Sequence, residues 1–84
     1  MTHVHQTVLR ILGQVTSTPE LANEMDTDLY DAGLLDSLGL VNLMLAFSDE
    51  LGVTIYPSDL DKKEWATPRR MIADVERRLA AAAA

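Results

Sequence analysis

The sequence contains no cysteine, so neither a disulfide staple nor a thiolate metal site is available to it. Any thiol chemistry it serves requires an added group. Long apolar runs are also missing; nothing approaches the roughly 20 residues that cross a bilayer. The opening MTHVHQTVLR has no basic stretch followed by a long apolar one. That argues against a signal peptide and makes the cytoplasm the expected location. Positive charge is the third deficit, with seven Lys and Arg against thirteen Asp and Glu, a formal net charge of −6. An acidic chain repels nucleic acid and anionic lipid, so neither a nucleic-acid partner nor direct membrane insertion is expected.

The 84 residues fit one domain spanning 1–84. At 48% apolar and 24% charged, the composition is that of a globular chain rather than a disordered one. A domain this small buries roughly 60–65% of its unfolded surface. That suffices for one modest core but not for a deep substrate cavity. The charge is uneven. Residues 20–64 hold eleven acids against Lys62 and Lys63, whereas residues 65–84 hold Arg69, Arg70, Arg77 and Arg78 against Asp74 and Glu76. An acidic centre of this kind serves solubility, or steers the chain toward a basic protein surface.

From Thr2 to about Val15, the residues Val4, Val8, Ile11, Leu12 and Val15 recur at helical spacing, with Gly13 a mild weakness. Ser17-Thr18-Pro19 ends that helix. A long connection over 16–36 follows, rich in Asp, Asn, Thr and Gly, with Leu21, Leu29 and Tyr30 as its anchors to the core. The second helix spans about Ser37 to Leu51, with Asp36 as N-cap and Gly52 as C-terminal stop. VTIYP has strand propensity but no partner strand, which predicts an extended loop. Ser58 to about Lys63 is expected to form one short helical turn. Thr67-Pro68 starts the last helix, whose buried stripe is Met71, Ile72, Val75 and Leu79, and Ala80 to Ala84 prolong it.

On a helical wheel, Leu40, Leu43, Met44, Phe47 and Leu51 share one broad face of the second helix, the core face. Leu38, Val41 and Leu45 lie well round from it, beside Asn42 and Asp49. An ordinary small bundle needs only one apolar stripe per helix. Either this helix is covered on both sides, or the second strip is offered to a partner.

Ser37 stands at the first turn of that helix, where unpaired N–H groups and the macrodipole favour a negative group. It is either a phosphate-ester site projecting beside the Leu38–Val41–Leu45 strip, or simply a good residue to start a helix. A serine hydrolase is excluded, because the Gly-x-Ser-x-Gly elbow is absent: Leu35 stands two residues before Ser37. A calcium loop from Asp26 fails at its sixth position, Asp31, and its twelfth, Ser37. His3 and His5, at i and i+2, point apart on a helix, so no metal site and no catalytic residue are expected.

Asp36-Ser37-Leu38 opening an apolar helix resembles the attachment motif of acyl and peptidyl carrier proteins, and the likeness covers nearly the whole chain. A second stretch, Asp59-Leu60-Asp61-Lys62-Lys63-Glu64-Trp65-Ala66-Thr67-Pro68, resembles the pattern of D-alanyl carrier proteins, the small subunits that serve D-alanine transfer to cell-wall or envelope polymers. Leu34-Leu35-Asp36-Ser37 followed by Gly39 also suits that subgroup. Trp65 is expected to pack in the core or under a lid. The resemblance implies an all-α four-helix bundle, with three main helices, one short helix and a long first loop. It implies 4′-phosphopantetheine joined to Ser37 through a phosphodiester, its thiol holding a D-alanyl or other aminoacyl group as a thioester.

On that reading the chain is a monomeric carrier, not an enzyme. A phosphopantetheinyl transferase modifies it and an ATP-dependent adenylating ligase loads it. An acyl or aminoacyl transferase, soluble or membrane-bound, unloads it. The implied partner surface maps onto Asp36, Leu38, Val41, Leu45 and Asp49. Asn42 and Ser48 stand where many relatives carry acids, so docking should lean more on Leu38, Val41 and Leu45. Two alternatives stay open: a carrier for another specialised acyl or amino acid, and a helical interaction module without a prosthetic group.

Overall fold

In the computed structural model, which describes residues 3–83, three α-helices carry the architecture: α1 (His3–Thr16), α2 (Ser37–Leu51) and α3 (Pro68–Ala83). Thr2 and Ala84, where the sequence reading places the start of the first helix and the end of the last, lie outside the described residues. Among those described there is no strand. The extended VTIYP loop places Val53 and Ile55 in the core and leaves Thr54 and Tyr56 in solvent.

The helix ends obey local chemistry. Asp36, in extended backbone, accepts a hydrogen bond from the Gly39 N–H at 2.8 Å, and Gly52 closes α2 at φ 70°. Thr67 Oγ1 accepts from the Arg70 N–H at 3.2 Å, with Pro68 opening α3. α1 ends with the Thr18 N–H bonded to the Gly13 carbonyl and the Ser17 N–H to the Gln14 carbonyl. That is a Schellman motif, and its left-handed position is filled by Ser17 at φ 55°.

The core gathers Val8, Ile11 and Leu12 of α1, Leu43 and Phe47 of α2, and Met71, Ile72 and Val75 of α3. Leu21, Leu29 and Trp65 come to it from the connections. Phe47 and Trp65 meet edge to face, with ring centroids 5.5 Å apart and planes at 70°. The fourth, short helix takes another form. Two 3₁₀ turns, Pro57–Asp59 and Lys62–Trp65, replace the expected single turn over 58–63, with Leu60 and Asp61 extended between them. Pro57 starts the first, and the Asp61 carboxylate caps the second through the Lys63 N–H at 2.9 Å. A further 3₁₀ turn, Pro19–Asn23, lies within the first connection. Pro19 packs there against Gly13: a Cβ on Gly13 would stand 3.2 Å from the Pro19 Cα. Gly13 is therefore a point of close packing rather than only a weakness in α1.

Both connections are tied down by hydrogen bonds. The Leu29 N–H donates to the Ala66 carbonyl at 2.8 Å, and the Tyr30 hydroxyl donates to the Lys62 carbonyl at 2.8 Å. Arg69 pairs with Asp26 in two hydrogen bonds, at 2.8 and 3.3 Å. Arg78 reaches the Asp59 carbonyl at 3.0 Å. The two long connections are thus fastened to each other and to α3.

Candidate functional site

The start of α2 is positioned by a tightly wound turn. Asp28 Oδ1 accepts from the N–H groups of Tyr30 and Asp31, each at 3.0 Å. The Leu29 carbonyl accepts from Leu34 at 2.9 Å and Leu35 at 3.2 Å. Gly33, at φ 71°, supplies the left-handed residue that this winding requires. Leu29 and Leu35 are buried, so the turn is bolted to the core at two points and delivers residues 36–38 to the surface.

Ser37 is the first residue of α2 and is solvent-exposed. The Asp36 side chain occupies the Gly39 N–H, and the Asp36 carbonyl takes the Leu40 N–H. Among the described residues the N–H groups of Ser37 and Leu38 have no partner in the chain. An anionic ester on the Ser37 oxygen fits this setting: it meets water, two open donors and the positive end of a 15-residue helix. Gly39 keeps the first turn slim, since a Cβ there would stand 2.9 Å from Leu35 Cδ1.

Among the described residues, no side-chain hydrogen bond joins Ser37 to a histidine or a carboxylate. His3 Nε2 lies 3.5 Å from Thr7 Oγ1, and His5 Nε2 lies 3.1 Å from Glu76 Oε1 on α3.

Leu38, Val41 and Leu45 run up the outer side of α2 with 69%, 44% and 65% of their surfaces exposed. The opposite face, Leu40, Leu43, Met44 and Phe47, is buried as the wheel predicts, and Leu51 is half-buried. The second apolar strip is therefore uncovered rather than central to the bundle. Asp36 and Asp49, both exposed, lie toward its two ends, and Asn42 is exposed alongside. Hence the structure brings Asp36, Ser37, Leu38, Val41, Leu45 and Asp49 onto one helix and its cap.

Sequence reasoning missed what stands opposite. Pro57, Leu60 and Lys62 of the second connection face Ser37, Val41 and Met44 across a cleft of about 190 Å³. Tyr56, 61% exposed, is the other large apolar side chain left in solvent among the described residues. These residues are nineteen or more positions from Ser37, and no periodicity links them to it.

Comparison with known proteins places the chain among relatives. The family described as "Phosphopantetheine attachment site" matches residues 6–75. A D-alanyl carrier protein of Enterococcus faecalis is 40% identical over 74 residues, covering 88% of this chain and 95% of the relative. One from Lacticaseibacillus rhamnosus is 42% identical over 69 residues, covering 82% and 85%. D-alanyl carrier protein 2 of Lactiplantibacillus plantarum is 40% identical over 75 residues, covering 89% and 92%.

Proposed function

Because this chain belongs to the phosphopantetheine-attachment family of carrier proteins, we propose that Ser37 is the residue that bears 4′-phosphopantetheine and that the cargo is a D-alanyl group. The family makes the chain a carrier rather than a catalyst, so the reading as a bare interaction module gives way. When bound, the arm supplies the thiol that a cysteine-free chain lacks, and the aminoacyl group rides on it as a thioester. The observation that carries the Ser37 assignment is its exposed hydroxyl at the tip of α2, beside two N–H groups without partners.

The residues of the chain divide the work. Ser37 Oγ attacks phosphorus of coenzyme A in the active site of a phosphopantetheinyl transferase. The phosphoanhydride bond breaks, adenosine 3′,5′-bisphosphate leaves, and the serine proton passes to the transferase. Asp36 caps the helix and so fixes the backbone from which the Ser37 side chain projects. Leu38, Val41 and Leu45 provide the apolar contact for visiting enzymes, with Asp36 and Asp49 as the charged ends of that surface. Those enzymes are an ATP-dependent adenylating ligase that loads the carrier and a transferase that unloads it toward an envelope polymer. No helix among the described residues is long and apolar enough to cross a membrane. The carrier meets its ligase in the cytoplasm, where ATP and coenzyme A are available. The D-alanyl assignment is supported by the Trp65-Ala66-Thr67-Pro68 stretch and by the names of the relatives.

Incubation of the apo chain with coenzyme A and a broad phosphopantetheinyl transferase, followed by intact mass, tests the attachment site. Wild type gains one phosphopantetheine and Ser37→Ala gains none; a gain that survives Ser37→Ala would move the site elsewhere. Presenting the holo form to adenylating ligases with D-alanine, L-alanine and other acids tests the cargo. D-alanine is expected to form the thioester, and preferential loading of another acid would replace that assignment.

A further inference from the structure

One side chain bridges α2 and α3 inside the bundle. Trp65 meets Phe47 of α2 edge to face, with centroids 5.5 Å apart, and its indole N–H donates to Asp74 of α3 at 2.8 Å. Both rings are fully buried, and Leu43, Met71 and Val75 share the same core without exposed surface. Asp74 is held in turn by Arg77 and Arg78. The indole is thus fixed at two places, by a ring contact to one helix and a charge-assisted bond to the other. Three residues on from Met44 is Phe47, and three on from Lys62 is Trp65. Met44 and Lys62 border the surface beside Ser37, so the two rings stand where those walls would otherwise lead inward.

We propose that Phe47 and Trp65 determine the class of cargo: they deny a long alkyl chain entry to the core, so the carrier serves a short, polar acyl group that stays in water. The inference rests on the attachment reading above, and it reaches the cargo class without the names of the relatives.

An alkyl chain borne on the arm is driven out of water in proportion to its methylenes. To enter between α2 and α3 it must displace one ring. Moving Phe47 empties a packed site. Moving Trp65 strips a donor from a carboxylate whose residue is 2% exposed. An aminoacyl group never meets that barrier. It has few methylenes to bury, and its ammonium would carry an unpaired charge into an apolar interior. The filled core therefore shelters neither kind of cargo, but only the long chain is left with apolar surface in solvent.

The full chain, loaded by a broad phosphopantetheinyl transferase from coenzyme A and separately from octanoyl-coenzyme A, tests this. The octanoyl form is expected to unfold within about 1 °C of the free-thiol form, with the Trp65 indole N–H resonance unmoved. In Phe47→Ala, which opens a ring-sized space, the octanoyl form should unfold about 5 °C or more above its own free-thiol form, the effect of a few newly buried methylenes. Phe47→Leu, with a smaller opening and a smaller rise, stands in where Phe47→Ala does not fold. A wild-type octanoyl form that is stabilised by several degrees, or that moves the indole resonance, would overturn the inference. So would a folded Phe47 variant indifferent to the octanoyl group, since the ring would then not be what keeps it out. Intact mass tells the two readings apart: a chain that gains neither arm refutes attachment itself, whereas one that gains both and shelters octanoyl refutes only the cargo class.

Discussion

The indole N–H of Trp65 donates to the Asp74 carboxylate at 2.8 Å, and both side chains are fully buried. The same carboxylate takes Arg78 at 2.8 Å and also pairs with Arg77. Asp74 is 2% exposed, so its charge survives only because three donors surround it. This cluster locks the turn Lys62–Trp65 onto α3, and with it the wall that faces Ser37.

Removing one member of the cluster should therefore cost more than an ordinary surface change. Trp65→Phe, which deletes the donor and also the fused ring's volume at a buried site, is expected to destabilise by at least about 2 kcal/mol, the range for a hydrogen bond to a charged group, plus the cost of the cavity. Asp74→Ala, which also strands Arg78 (side chain 15% exposed), should cost about 3 kcal/mol or more. Urea denaturation checks both, and equal stability of Trp65→Phe and wild type would show the bond to be energetically idle.

The cluster also sets an acid limit. Burial pushes the Asp74 carboxyl up, but the hydrogen bonds from Arg78, Trp65 and Arg77 outweigh it and hold the group below the ordinary carboxylate value. A depressed folded value means the contribution is complete above the unfolded value near about 4 and is lost as pH falls through the folded one. Stability should thus be flat from about pH 7 to 5 and decline below about pH 4. In Asp74→Asn that decline should be shallower, as measured by denaturant midpoints across the range. Asp26, held low by its hydrogen bond to Arg69, contributes in the same direction, but fully in solvent and open to salt screening.

The two faces of α2 should answer mutation in opposite ways. Phe47 is fully buried and stacked edge-on against Trp65, so Phe47→Ala is expected to cost about 3–5 kcal/mol. Val41→Asp, on the exposed strip, should change the thermal midpoint little and instead weaken loading by partner enzymes. A Val41→Asp chain that unfolds would mean the strip is structural.

Ser17 occupies a left-handed position that disfavours any residue with a Cβ by about 1–2 kcal/mol. Ser17→Gly should stabilise the protein by about 0.5–1 kcal/mol after the added freedom of the unfolded chain is subtracted. A rise in thermal midpoint with no change in phosphopantetheine loading is the expected result.

Asp36 separates capping from charge. Asp36→Asn keeps an oxygen for the Gly39 N–H and should cost a few tenths of a kcal/mol, whereas Asp36→Ala should cost about 1 kcal/mol. If ligase loading falls equally in both variants, the charge matters to docking; if it falls only in Asp36→Ala, the geometry of the helix start does.

What the sequence determined by itself was local or periodic. The core face Leu40, Leu43, Met44 and Phe47, the existence of a second apolar strip at Leu38, Val41 and Leu45, the Asp36 cap and the Gly52 stop all depend on neighbours within a turn or two, where 3.6-residue geometry dictates who meets whom; that the strip stays uncovered was decided by the fold. The family was legible for the same reason, since its marks are short contiguous stretches. The tertiary structure decided the rest. Gly13 looks weak in a helix until Pro19 is seen against it. Asp74 counts as surface charge until its place between Met71 and Val75 carries it inside to Trp65. The short helix dissolves into two 3₁₀ turns because Pro57 and Asp61 each start a new turn, and Arg78 and Tyr30 hold the carbonyls that end the first and open the second. Lys62 comes to face Ser37 only through that arrangement. Contacts across twenty or more residues are chosen by the packing of the whole core, and no single stretch of chain encodes them.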